Sequence, residues 1–355
     1  MSIWIGNIIL LFFYSVIINN KTMTYKQSKT SLLAVIMFIQ LLLLYVFNDN
    51  TIFPDTRYYL KGFDYSLTVG WNDVPKIQHF STEIKFDLGW CYFTKLLSSL
   101  FNHNLILLFA AGFIFILSYF TVIMKYSLIP WLSIFLFIAT VFYSSLFILR
   151  QSMAVAICLF SIPYIIERKF LKFLFFIFIA FSFHKTALIF VLLYFLYPLK
   201  IDKNFFFPVI IMGLLFYSGF KFILHFSATY LPGFAIYDSN IFKMANYTSF
   251  SIALCIFVFI VICYYPFSQI ENYTRLFFQM LLLFFMVELF RIGIPGTMGR
   301  LNLYFYIAVI LLLPNAIQQI SNINFKYISV IVIIVIYFTL MIKQMNYGFN
   351  LLLKI

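Results

Sequence analysis

Residues 104–124 read NLILLFAAGFIFILSYFTVIM, a run of 21 residues without one charged side chain. A helix needs about 20 apolar residues to cross the hydrocarbon of a bilayer, and this stretch supplies them. Working outward, similar blocks recur to both ends of the chain. We read spans at 2–19, 31–48, 104–124, 129–148, 151–166, 170–183, 186–200, 204–224, 249–266, 274–292, 300–314 and 325–343. The expected fold is therefore an all-α polytopic membrane protein with about twelve transmembrane helices, in a range of roughly 10 to 13. Residues 170–183 and 186–200 are short enough to be re-entrant.

Composition points the same way. Of the 355 residues, 64% are hydrophobic and 10% charged, and the mean hydropathy is +1.01. A soluble globule cannot hide that much apolar surface, because most of its residues meet water. The net charge of +13 would suggest nucleic acid if the bases formed a stripe on a polar surface. They stand instead singly or in twos and threes between apolar blocks. Cys91, Cys158, Cys255 and Cys263 show no CxxC spacing and read as membrane-buried thiols. No HExxH or closely spaced His/Cys/carboxylate set is present, so neither a metal site nor a cofactor is expected.

The residues left over define a topology. Lys21, Lys26 and Lys29 follow the first span with no basic residue before it, which puts loop 20–30 in the cytoplasm. Arg168, Lys169 and Lys172 then fall inside as well, and Arg168 reads as a topology marker that lysine could replace. The chain is expected to form a single membrane domain over 1–355. A large extracytoplasmic loop spans 49–102 and a second spans 225–248. Segment 86–101, FDLGWCYFTKLLSSLF, is too polar to span and fits an amphipathic helix on the outer surface.

Ionisable groups in or at a membrane are costly, and so are functional candidates. On this map Asp55, Arg57, Tyr58, Tyr59 and Asp87 lie in the large outer loop. Arg150 with Gln151, His184 with Lys185, and Arg291 with Arg300 stand at outer helix mouths. Arginine is the sharpest signal: 6 of the 24 basic residues are Arg and the rest Lys. Its planar fork suits two-point binding of phosphate, which the lysine point charge does not. Arg150, Arg291 and Arg300 are therefore read as phosphate or pyrophosphate ligands. Interfacial snorkelling, or an ion pair of Arg291 with Glu288 three residues earlier, is the plainer alternative. His184 suits proton transfer near neutral pH, or else caps a helix. Asp55 and Tyr58 offer a carboxylate beside an aromatic face, which is what a sugar site uses. Gly293, Pro295, Gly296 and Gly299 break the chain between Arg291 and Arg300.

The arrangement resembles the EpsG family of Wzy-type polysaccharide polymerases from bacterial capsule, exopolysaccharide and O-antigen clusters. The matching stretches run in order along the chain. Asp55 with Tyr58 and Tyr59 is followed by FDLGWCYF, an acidic-x-Gly-aromatic entry at Asp87, Gly89 and Trp90. LRQSMAVAICLF then carries Arg150, Gln151 and Ala154. IAFSFHKTALI carries Ala180, Phe183, His184, Lys185, Ala187 and Leu188, and GRLNLYFY carries Arg300, Leu301, Tyr304 and Phe305. The first outer loop lacks the family's Arg-x-x-x-Gly-x-Asp run, and Asp87 stands where Glu is commoner.

The resemblance implies a multi-pass protein of the bacterial cytoplasmic (inner) membrane with its active site facing outward. The expected substrates are undecaprenyl-pyrophosphate-linked oligosaccharide repeat units, as both donor and acceptor. The growing glycan would move to the non-reducing end of a new unit, releasing undecaprenyl pyrophosphate. Under that reading His184 and Asp55 are catalytic, and Arg150, Gln151, Arg291, Arg300, Tyr58, Lys185 and Asp87 bind substrate. A chain-length regulator and a flippase of the same pathway are the expected partners, and nucleic acid is not. Two alternatives remain open: a polyprenyl-phosphate-dependent glycosyltransferase using Asp49, Asp55 and Asp64, or a lipid-linked oligosaccharide flippase.

Overall fold

The computed structural model describes residues 23–47, 54–81, 85–201, 247–265, 270–291 and 299–352, with isolated positions 211, 219 and 267. The expected spans at 2–19 and 204–224, most of loop 225–248, and Asp49 lie outside the described residues. Everything described is helix or short connection, with no strand among the described residues. The all-helical fold is thus observed. Three described helices are long and apolar enough to cross a membrane: Leu105–Tyr126, Asn272–Arg291 and Ile323–Lys343. The remaining expected crossings are shorter apolar helices or fall on residues not described.

The helices are α1 (Met23–Val46), α2 (Pro54–Thr68), α3 (Leu88–Leu100), α4 (Leu105–Tyr126) and α5 (Pro130–Ser145). Then come α6 (Leu149–Phe160), α7 (Ile162–Ile166), α8 (Phe170–Phe183) and α9 (Val191–Leu196). The last four are α10 (Tyr247–Tyr264), α11 (Asn272–Arg291), α12 (Tyr306–Gln319) and α13 (Ile323–Leu352). They pack as two compact units. The first holds residues 1–164, 169–188 and 327–355, and the second residues 165–168 and 189–326.

In the first unit, α4 packs on α1 and α6, and α6 packs on α8. Aromatic rings fill the interior: Tyr119 stands 4.6 Å from Phe137 and Tyr45 stands 5.9 Å from Phe142, centroid to centroid. The Tyr45 hydroxyl is spared an unmet donor by bonding the Ser145 carbonyl at 3.1 Å. Helix α5 widens to a π turn over Ile138–Phe142, where the Thr140 hydroxyl bonds the Leu136 carbonyl at 2.6 Å.

Most of the segment read as a large loop is helical. Pro54 opens α2 and Asp55 stands in its first turn, the places where a missing N–H and a negative charge do least harm or most good. A 3-10 helix follows at Trp71–His79, and α3 covers most of the segment 86–101. The amphipathicity of α3 has an unusual sense. Its protein-facing side is Trp90, Cys91, Thr94, Lys95 and Ser98, all buried. Its exposed side is an apolar stripe at four-residue spacing, Leu88, Tyr92, Leu96 and Leu100. A stripe of that kind suits a helix lying in the lipid interface.

Three contacts lock these pieces around α6. The buried Thr56 hydroxyl bonds the Leu146 carbonyl just before α6 begins. Buried Lys95 donates to the Ser66 carbonyl at 3.0 Å, closing the end of α2. Gly89 lies so close to α8 that a Cβ there would sit 2.7 Å from the Ser182 carbonyl atoms.

In the second unit α11 packs against α10 and α12, with Phe257 stacked on Phe285 at 5.0 Å. Gln279, wholly buried, donates to the carbonyls of Leu196 at 2.7 Å and Leu199 at 3.1 Å. It thereby satisfies the free carbonyl end of α9, which has no helical partner for them.

Candidate functional site

Arg150 stands in the first turn of α6, where the preceding Ile148 leaves the helical conformation. Its Nη1 donates to Asp87 Oδ2 at 2.9 Å and to the Lys85 carbonyl at 2.7 Å. Asp87 is the N-cap residue of α3, yet its carboxylate makes no capping bond because it is turned to Arg150. Beneath the guanidinium lies an aromatic floor. The guanidinium carbon is 5.4 Å from the centre of the Phe86 ring and 5.8 Å from that of Tyr59. Those two rings stack at 5.6 Å, and Trp90 closes on Tyr59 at 5.1 Å. A cation held over ring faces and paired on one edge keeps a fixed orientation. Arg150 Nε is buried and has no hydrogen-bond partner among the described residues.

Burial pushes the Asp87 carboxyl above its ordinary value, while Arg150, Lys185 and Lys85 pull it back. Burial likewise pushes the Cys91 thiol up to about 12, so it stands there as an inert thiol. Asp87, Arg150 and Lys185, each singled out in the sequence, are thus brought into one electrostatic neighbourhood in the first unit. Gln151, next along α6, is buried. Asp55 and Tyr58 are half-buried on α2. Tyr59, not Tyr58, forms the floor under Arg150, and helix periodicity over 54–68 was the signal that could have told them apart.

His184 ends α8, its N–H bonded to the Ala180 carbonyl at 3.0 Å. Its Nδ1 meets the Thr186 hydroxyl at 2.6 Å and accepts from the Thr186 N–H at 3.4 Å. Its carbonyl accepts the Ala187 N–H at 3.0 Å, so the residue also caps the turn that follows.

In the second unit, Arg291 closes α11, and Arg300 is exposed on the helical stretch 299–301. Arg291 Nη1 bonds Glu288 Oε1 at 3.0 Å, one turn back, and Arg291 also bonds Tyr306. Asn302 Nδ2 reaches the same Glu288 oxygen at 2.6 Å. The ion pair weighed from the sequence spacing is therefore present, with Asn302 and Tyr306 as members that the spacing could not reveal.

Two further arginines have structural partners. Arg168 adopts φ 57°, lies 3.9 Å over the Tyr194 ring, donates to the Tyr194 carbonyl and accepts the Tyr194 hydroxyl at 2.9 Å. Arg275 stacks over Tyr197 at 4.9 Å and bonds Asn272 at 2.9 Å. Arg168 thus has partners that its place in a basic group did not reveal, and its planar cation suits the gap between ring and carbonyl.

No curated protein and no solved structure is significantly similar to the chain. A family model does match, described as the EpsG family and covering residues 31–353. Its members are Wzy-type polysaccharide polymerase-like proteins, which gives this chain a polymerase-like role in polysaccharide synthesis in general terms. The matched region takes in Arg150, Asp87, His184, Arg291 and Arg300 together, and the chain belongs to the EpsG family.

Proposed function

We propose that the chain polymerises undecaprenyl-pyrophosphate-linked repeat units at the outer face of the bacterial cytoplasmic membrane. The observation that carries this reading is Arg150, a guanidinium held by Asp87 over Tyr59 and Phe86 in an EpsG chain. The acceptor hydroxyl oxygen bonds to the anomeric carbon of the donor glycan. The bond from that carbon to the pyrophosphate oxygen breaks, and its electron pair leaves with undecaprenyl pyrophosphate. Arg150 offsets the charge that builds on the departing pyrophosphate, as a preorganised cation does in a site poor in water. Lys185 adds to that field, and Gln151 contributes to substrate binding beside Arg150.

His184 takes up the hydroxyl proton on its imidazole ring. Asp55 and Tyr58, on the outer-loop helix α2, receive the sugars. Because the donor already carries a good leaving group, no nucleotide sugar enters the reaction. A flippase supplies each new unit and a chain-length regulator sets when transfer stops.

Deleting the gene in its own host tests the reading. Single lipid-linked units should accumulate and the surface glycan should shrink to one repeat, with a plasmid copy restoring length. An unchanged glycan length distribution in the deletion strain would contradict it.

A further inference from the structure

Glu288 is 2% exposed and Asn302 is fully buried. One oxygen of Glu288 carries both of the cluster's donors, Arg291 Nη1 at 3.0 Å and Asn302 Nδ2 at 2.6 Å. Glu288 Oε2, Asn302 Oδ1 and Arg291 Nε are buried and have no hydrogen-bond partner among the described residues. Bonded geometry keeps all three within a few ångströms of the shared Oε1. An unmet buried polar atom costs about 1–3 kcal/mol, more if charged, so a cluster serving only to join α11 to the turn after it would not leave three together.

The three atoms have a specific sense. Two accept and one donates, which complements hydroxyl groups, each able to give one proton and to accept in return. A phosphate oxygen has no proton for Glu288 and is repelled by it, and a metal cation would face Arg291. Gly299 closely faces the donor: a Cβ there would stand 3.3 Å from Arg291 Nε, closer than side chains normally approach.

We propose that Glu288 Oε2, Asn302 Oδ1 and Arg291 Nε, with Gly299 opposite, bind hydroxyls of a sugar in the lipid-linked repeat unit. This rests on the polymerase reading and extends it, assigning sugar recognition to the end of α11.

Two ligands separate the possibilities: a purified undecaprenyl-pyrophosphate-linked repeat unit and bare undecaprenyl pyrophosphate, each titrated calorimetrically against the full-length protein in detergent. Glu288→Gln and Gly299→Ala should each weaken binding of the sugar-bearing unit by roughly tenfold or more, the worth of one good hydrogen bond, and leave the bare lipid's affinity unchanged. Sugar-unit affinity equal to wild type in either folded variant overturns the proposal and leaves the cluster as a water-bridged structural joint. Equal weakening of both ligands overturns it too. Should Glu288→Gln fail to fold, Gly299→Ala decides alone. A wild-type protein that binds neither ligand overturns this proposal together with the polymerase reading, whereas one that elongates units while both variants bind normally overturns this proposal only.

Discussion

Arg150 holds one bond to a carboxylate, one to a carbonyl and two ring contacts at once. A lysine keeps the charge but not the fork, so Arg150→Lys should lower the rate of polymerisation at equal expression. A lost charge-assisted contact is worth about 1.5–3 kcal/mol, or roughly 10- to 100-fold in rate, and glycan chain length against time would read it. Asp87 gives this pair a pH dependence. Its carboxyl is raised by burial, so on acidification it takes up a proton earlier than an ordinary carboxylate and releases Arg150. Activity should therefore fall on the acid side at a higher pH than an ordinary, solvated aspartate would give, and Asp87→Asn should abolish that limb of the profile. The effect on stability runs the other way. The folded chain binds this proton more tightly than the unfolded chain, so the carboxyl adds stability below its unfolded pKa and loses it as pH rises through its folded one. At this scale the sequence revealed which residue types were out of place, because arginine is scarce and charge in an apolar chain is costly. It could not reveal Phe86 and Tyr59 under Arg150, or Asn302 on Glu288, since those meetings depend on how separate segments of the chain come together in the fold.

Among elements, α3 was legible in advance because its polar side chains are too many for a crossing and its apolar ones recur every fourth residue. Helix α2 was missed. Its sequence, PDTRYYLKGFDYSLT, is polar enough to read as a solvated loop, and what fixes it as a helix is burial of Thr56, Tyr59, Phe63 and Ser66 against its neighbours. The short helices between 149 and 196 kept the boundaries expected of abutting spans to within a few residues, although their crossing of a membrane does not follow from length. Gly89 is where α3 meets α8 most closely. Gly89→Ala would force a methyl into the Ser182 backbone and should destabilise the protein by about 1–3 kcal/mol. A lower melting temperature in detergent, with Arg150-dependent activity falling beside it, would show that the contact sets the position of Asp87. An unchanged melting temperature would show that α3 and α8 can part without cost.

For the whole molecule, composition alone dictates a membrane protein, since 64% of the residues are hydrophobic. Orientation rests on few charges, Lys21, Lys26 and Lys29 above all. In a cysteine-free background, single cysteines at 55 and 237 should react with an impermeant thiol reagent in intact cells whose outer envelope has been made permeable. One at 26 should not, and the reverse pattern would put Arg150 on the wrong face for the proposed reaction. Division into two compact units was not legible, because the apolar spans on either side of the boundary look alike in sequence.

The most direct measurement is elongation by the purified chain in liposomes, supplied with undecaprenyl-pyrophosphate-linked repeat units and nothing else. Longer lipid-linked oligomers should appear without any nucleotide sugar, with free undecaprenyl pyrophosphate released in step, and chelators should leave most of the activity. Activity lost on chelation and restored by magnesium or manganese would move the chemistry to the acidic outer loop. Units that change leaflet without growing longer would contradict the account, because the chain would then move its substrate rather than join it.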